Sequence, residues 1–242
     1  FSPAGETNHT PRDTSSVNIH PIPPITPSVQ HLIESRDSSL LPRTPPVAPN
    51  PIVWHPGLTL DTAIGQRLLF VDNLDSFTWN IVHAFASLGA EVIIVPGRLE
   101  VDAPSSLLAN LKPTHIVLGP GPGRPEQSEL TMSFAHAALK GKTPPLLGIC
   151  LGHQCIGSFF GHSISNLESV LHGKQGTVNV INDQCLYKGL PLKFNIGHYH
   201  SWIVDDKKVS DLIVTARLNS GEIMSIKHKD FPIYGTQFHP ES

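Results

Sequence analysis

Cys150 stands in the stretch Pro144-Pro145-Leu146-Leu147-Gly148-Ile149-Cys150-Leu151-Gly152-His153-Gln154. It reads as a short apolar strand, a cysteine with glycine two residues away on each side, and a helix start. Gly-x-Cys-x-Gly follows the logic of the Gly-x-Ser-x-Gly nucleophile elbow, where a reactive side chain tops a sharp strand-to-helix turn. Backbone that tight requires glycine, because a Cβ would clash. The positive end of the following helix favours thiolate over thiol. A lone cysteine in such a turn is also a common buried structural residue. A second segment tips the balance: Gln237-Phe238-His239-Pro240-Glu241-Ser242. Pro240 fixes its own φ and pushes His239 toward an extended conformation. Residues two apart in extended chain face the same way. The spacing therefore predicts Glu241 holding one nitrogen of His239 while the other faces outward. Alone, His-Pro-Glu is an ordinary surface turn. With Cys150 it forms a thiol, a base and a carboxylate in the triad arrangement.

The elements that must position these groups alternate. Arg67–Asp72, Glu91–Val95, His115–Leu118 and Leu146–Ile149 are apolar runs of strand type. Between them, Ser76–Leu88, Ala103–Asn110 and Ser128–Lys140 carry helical patterning, the first with Asp75 or Ser76 as N-cap. A further helix runs from His153 to about Phe160. This order predicts a parallel sheet with helices on both faces. After that helix the pattern changes. Ser163–Ile164, Gly176–Val180, Leu192–Ile196, Leu212–Arg217, Glu222–His228 and Ile233–Phe238 read as strands, several alternating as in a half-exposed antiparallel sheet. The fold class is thus α/β, a mostly parallel central sheet flanked by helices, with antiparallel strands added in the second half. Sites in such sheets lie beyond the carboxyl ends of the strands. Asp72 to Asp75, the run Gly119-Pro120-Gly121-Pro122-Gly123, and Cys150 should converge there.

Composition bounds the rest. The 17 basic and 20 acidic residues leave the chain near neutral, which removes nucleic acid or an anionic membrane as a bulk partner. No apolar run approaches the roughly 20 residues of a membrane helix. Three cysteines, Cys150, Cys155 and Cys185, suit neither a disulfide framework nor a zinc site, and reduced thiols imply a cytoplasmic setting. Residues 1–65 hold 12 of the 23 prolines amid serine and threonine. Such a stretch reads as a disordered linker or tail, with a single weak turn at Val29–Ile33. Its Pro-x-x-Pro spacings at Pro21 to Pro27 are the alternative, as a ligand for an SH3-type module. The ordered domain is placed at 66–242.

Three blocks carry a specific resemblance: Gly119-Pro120-Gly121-Pro122-Gly123-Arg124-Pro125, Gly148-Ile149-Cys150-Leu151-Gly152-His153-Gln154 and Gln237-Phe238-His239-Pro240-Glu241-Ser242. In order and spacing they resemble the signatures of class I, triad-type glutamine amidotransferases, whose domain is flavodoxin-like. Asp72-Asn73-Leu74-Asp75-Ser76-Phe77-Thr78, Leu171-His172-Gly173-Lys174 and Tyr199-His200-Ser201-Trp202 further resemble the glutaminase components of anthranilate synthase and aminodeoxychorismate synthase. The resemblance implies Cys150 as nucleophile, His239 as acid and base, and Glu241 as its orienter. It implies an oxyanion hole from the backbone N–H groups of Leu151 and Gly121. Glutamine would be bound by Gly121, Pro122, Gly123, Gln154, Ser201 and Trp202. His172, Gly173 and Lys174 would meet a chorismate-using synthase, as a separate subunit or a fused domain. No cofactor is implied in this chain; magnesium is expected only on that partner.

The chain departs from the family pattern at Gly119, where serine is usual, at His198, where arginine usually precedes Tyr-His-Ser, and at His162, where Gly-Gly is usual. The family's final helix is expected beyond Ser242, so that the sequence reads as a truncated form. The leading expectation is the anthranilate synthase glutaminase, towards which Trp202 leans. Aminodeoxychorismate synthase glutaminase is the near alternative. A non-catalytic partner-binding module of the same fold and a free-standing γ-glutamyl hydrolase are the others. A metal site at His198, His200 and His239 lacks a further ligand at zinc spacing.

Overall fold

The run Arg67-Leu68-Leu69-Phe70-Val71-Asp72 forms strand β2, with its four apolar residues buried. The alternation of side chains along the strand sends Leu69 and Val71 to one apolar layer and Leu68 and Phe70 to the other. A strand buried on both faces belongs at the centre of a parallel sheet. β3 (Glu91–Pro96), β4 (His115–Leu118) and β5 (Leu146–Ile149) have the same character. The computed structural model describes residues 52–54, 63–98, 104–182, 186–206 and 210–242, with backbone alone at 52–54 and 168–172. All fall within the unit Pro46–Ser242; the unit Phe1–Pro45 lies outside the described residues.

Helices α1 (Thr78–Ser87), α2 (Pro104–Leu111), α3 (Glu129–Leu139) and α4 (Leu151–Phe159) follow β2, β3, β4 and β5 in turn. α1 buries Ile81 and Val82 in the layer of Phe70 and Ile94. α3 and α4 bury Phe134, Ala138 and Ile156 in the opposite layer, with Leu69 and Leu118. Strands β1 (Ile52–Trp54), β6 (Ile164–Val180), β7 (Lys193–Val204), β8 (Leu212–Leu218), β9 (Ile223–His228) and β10 (Ile233–Thr236) complete a ten-stranded sheet ordered β1-β3-β2-β4-β5-β10-β9-β8-β6-β7. β3, β2, β4, β5 and β10 are parallel; the remaining pairings are antiparallel. A third apolar cluster, with Val178, Ile196, Met224 and Phe238, underlies the antiparallel part.

Several expectations need correction. Ile52–Trp54, inside the stretch read as a linker, pairs antiparallel with β3 and forms the sheet edge. Proline-rich flanks hid this strand. The weak turn at Val29–Ile33 and the Pro-x-x-Pro spacings lie outside the described residues. α1 is capped by Phe77, without a side-chain cap. Asp75 instead accepts from the Phe77 N–H at 2.8 Å, and Asp72 accepts from the Leu74 N–H and the Thr78 hydroxyl. These acids organise the turn rather than the helix end. Ser163–Ile164 and Gly176–Val180 are largely two ends of a single strand, β6. Its middle, including the His-Gly-Lys segment, is irregular in register, with shifts at Asn166/Leu171 and His172/Lys174. Gly173 has φ 66°, the left-handed backbone that a glycine bulge uses.

His153 lies wholly buried between α4 and β10, where a Cβ on Gly235 would come within 2.8 Å of Nδ1. Neither ring nitrogen has a hydrogen bond of good geometry. Burial drives its pKa down to about 3. Below about pH 6.5 the unfolded chain takes up a proton that the folded chain refuses, so stability is lost as pH falls from there toward 3. This one group should remove about 2 kcal/mol of stability between pH 7 and pH 5. In urea titrations at those two pH values, His153→Met should lose less of its midpoint than the parent; equal losses would contradict the assignment.

Candidate active site

Parallel strands that end together place their following loops side by side. Val71 pairs with Leu118, Leu118 with Gly148, and Ile149 with Thr236. The Asp72–Asp75 turn, the glycine-proline run, Cys150 and the His239 segment therefore leave neighbouring strands at one edge. Cys150 has φ 52° and ψ −102°, a strained conformation of the kind that concentrates at reactive sites. Its N–H donates to the Thr236 carbonyl at 2.8 Å, and its carbonyl accepts from the Gln154 N–H at 3.0 Å. A Cβ on Gly148 would lie 2.5 Å from the Gly152 backbone, and one on Gly152 would lie 2.2 Å from the Leu118 carbonyl oxygen. Both flanking positions thus exclude a side chain, as the elbow requires.

His239 and Glu241 meet this cysteine from the segment that follows β10. His239 Nδ1 lies 2.8 Å from Glu241 Oε1, with both side chains 2% exposed. The ring also interacts with the Cys150 side chain. Burial acts to lower the His239 pKa, but the bonds to Cys150 and Glu241, with their negative charges, push it up to about 10. Phe77 and Tyr199 pack edge-on against the imidazole at centroid distances of 5.6 and 5.4 Å. The route to this geometry differs from the extended chain expected. Pro240 and Glu241 lie in a turn, and the Ser242 N–H reaches back to the His239 carbonyl at 3.3 Å. The turn folds the carboxylate onto its histidine.

The glycine-proline loop is braced from below. Asn73 Nδ2 donates to the Gly119 carbonyl at 2.9 Å, and Thr131 donates to Asn73 Oδ1 at 3.0 Å. Gly121 rests on Asn73, where a Cβ would meet its backbone oxygen at 2.5 Å. The loop's first residue is Gly119 because the Phe70 ring fills the space of a side chain, within 2.8 Å of a Cβ there. Pro122 and Gly123 are exposed, and Leu151 opens α4, whose first N–H groups have no partner within the helix. Arg124 reaches across to β7, its guanidinium 4.5 Å over the Trp202 ring. From α4, Gln154 Nε2 donates to the Trp202 carbonyl at 3.0 Å. Arg124, next to Gly123, and Gln154 thus both reach Trp202.

His198, His200 and His162 make hydrogen bonds to neighbouring protein groups. His198 and His200 hydrogen-bond each other at 3.1 Å, and His200 Nδ1 bonds the Trp202 carbonyl. Burial first, then its neighbour His198, takes the His200 pKa down to about 4. His162 ties Asp205 to Ser210 through its two nitrogens. Among the described residues no group of three or more His, Cys, Asp or Glu is arranged to hold a metal ion. Gly173 and Lys174 line an open cavity of about 250 Å³ with Asn195, Gly197, Tyr199 and Ser242. Tyr199 connects that cavity to His239. The His172 side chain and Cys185 lie outside the described part. Sequence reasoning gave no separate role to Asn73, Phe77, Arg124 or Gln237. Gln237 was the most accessible of these, since it stands two residues before His239 in the same short segment.

The fold and site define a class: α/β proteins with a cysteine on a strand-to-helix elbow and a histidine–carboxylate pair from the adjacent strand. The family model for class-I glutamine amidotransferases matches residues 69–242. The chain is 40% identical to an aminodeoxychorismate synthase component 2 of Klebsiella aerogenes, covering 72% of this chain and 91% of that one. It is also 40% identical to an anthranilate synthase component 2 of Mycobacterium tuberculosis, covering 73% and 75%. A bifunctional protein TrpGD of Thermotoga maritima matches at 36% over 73% of this chain but 30% of its own length. Among solved structures, a putative GMP synthase subunit of Thermoplasma acidophilum superposes with a TM-score of 0.62 at 28% identity, covering 73% and 85%. The chain belongs to the class-I glutamine amidotransferase family.

Because the Leu118 carbonyl occupies the space beside Gly152, Gly152→Ala must push the elbow from β4. Overpacking of this kind costs about 1–3 kcal/mol. Urea unfolding should show that loss, and an unchanged midpoint would refute the close approach.

Proposed function

We propose that the chain is the glutaminase component of a chorismate-using synthase, releasing ammonia from glutamine for its partner. The observation that carries this reading is the set Cys150, His239 and Glu241, brought together beyond the carboxyl ends of β5 and β10 in a sheet of this family. The Cys150 thiolate adds to the side-chain amide carbon of glutamine. The resulting oxyanion is received by the N–H groups of Leu151 and Gly121, donors whose removal costs about 3 kcal/mol each in comparable sites. The prolines of the loop have no N–H, so only the glycines can donate there. His239, already favoured as the imidazolium, gives its proton to the departing nitrogen as the C–N bond breaks. Now neutral, it takes a proton from water, whose oxygen attacks the thioester. Glutamate leaves and the thiolate is restored. Glu241 keeps the Nδ1 proton in place throughout. Gln154, Gly121 to Gly123 and the Ser201–Trp202 strand bind the glutamine.

Ammonia must travel to the second site without meeting bulk water, where it would become unreactive ammonium. The partner is a chorismate-using subunit or fused domain, and its contact is proposed at His172, Gly173 and Lys174, beside the cavity that Tyr199 joins to His239. Names of relatives support both arrangements, two-component and bifunctional. Synthesis of anthranilate is the first reading. Equal identity to an aminodeoxychorismate synthase component supports that product as the second. Glutaminase activity measured with each synthase in turn separates them: the true partner should raise ammonia release and yield its own product. Cys150→Ala should reduce turnover by at least a thousandfold. Full activity in that variant would defeat the mechanism, and stimulation by neither synthase would defeat the assignment of a partner.

A further inference from the structure

A buried chain of polar groups runs from β7 to the nucleophile. Its direction is set by one unambiguous acceptor, the Trp202 carbonyl oxygen. Gln154 presents a side-chain atom to that oxygen at 3.0 Å, which must be the amide nitrogen. The same nitrogen lies 3.2 Å from the side chain of Gln237, so Gln237 must turn its oxygen there. Its own amide nitrogen is then left facing Cys150 Sγ, at 3.7 Å. On the other side of the carbonyl, His200 Nδ1 sits at 3.1 Å and must carry a proton. The neutral His200 ring thus offers Nε2 as acceptor, and His198 Nδ1 donates to it at 3.1 Å. Every orientation follows from the one before. Gln237 is fully buried, and its backbone N–H is fixed to the Met224 carbonyl at 2.9 Å.

We propose that Gln237 is a catalytic residue: its amide N–H is a fixed donor to the Cys150 sulfur, and it stabilises the thiolate before glutamine binds and when the thioester is hydrolysed. This rests on the reading of Cys150 as nucleophile. A carboxamide is suited to the task because it donates without carrying charge, so it does not compete with His239 for the Glu241 carboxylate. The other titratable groups near the sulfur are His239 with Glu241 behind it, after β10, and Cys155 on α4. Cys155 is fully buried and its thiol is pushed up to about 12 by burial, so it faces Cys150 as a neutral group. The geometry also assigns Gln154 a polarity. Both of its amide protons are engaged, by Trp202 and Gln237, so toward the substrate it can only accept.

The test is the pH profile of Cys150 alkylation by iodoacetamide, read peptide by peptide by mass spectrometry in the full chain. Gln237→Met keeps the volume and removes the donor. Its apparent Cys150 pKa should rise by about one unit, a tenfold loss of thiolate on the acid side, since a donor to a charged acceptor contributes at that level. The kcat for glutamine should fall while KM holds. Cys155 should stay unreactive, which reports that the fold is intact. If Cys155 becomes reactive, Gln154→Leu takes its place as the variant, because it frees the Gln237 amide to rotate. It should shift the Cys150 profile in the same direction by less. An unchanged profile in the intact variant overturns the proposal. The nucleophile reading fails separately, if Cys150 of the unaltered protein titrates as an ordinary thiol and activity survives Cys150→Ala.

Discussion

The parallel pairing of β10 with β5 is the constraint on which the site depends. Ile149 and Thr236 lie opposite each other in register, and the Cys150 N–H continues the ladder onto the Thr236 carbonyl. That single bond holds the first residue past β5 in an unfavourable backbone conformation. It also fixes where β10 ends, and hence where His239 begins. A nucleophile and a base 89 positions apart in sequence are thus placed by two adjacent strands rather than by flexible loops. Precision at a reactive centre comes from such rigid supports.

Around that pairing, space is removed more than added. Gly148 packs on Gly152, Gly152 on the Leu118 carbonyl, and Gly121 on Asn73. These contacts draw β4, β5 and the loops above them within backbone distance of each other. The polar groups that fill what is left are mostly uncharged: Asn73, Thr131, Gln154 and Gln237. Buried neutral donors and acceptors hold a shape without the desolvation cost of buried ions. Ionisable groups are concentrated where they have chemical work, at Cys150, His239 and Glu241.

Much of this was legible before any coordinates. β2, β4 and β5 carry continuous apolar runs bounded by turn residues, and their limits match the sequence reading. The elbow was readable because steric need leaves glycine as the sole residue able to occupy Gly148 and Gly152. Long-range pairing was not readable. Nothing local in Ile52–Trp54 announces an edge strand, and nothing in Leu171–Lys174 announces a bulge in a 17-residue strand. The link from Gln237 to Gln154 and Cys150 depends on which rotamers the finished core permits. The turn at Pro240–Glu241 reached the foreseen contact by an unforeseen backbone path.

β10 is also the last of the described strands to be synthesised, yet it sits inside the sheet, between β5 and β9. Residues up to 228 lack the strand that joins β5 to β9. They hold the Cys150 elbow and the loop at Gly119–Gly123, but not Gln237, His239 or Glu241, which follow β10. One short strand therefore both joins the parallel and antiparallel halves of the sheet and brings His239 and Glu241 to the thiol.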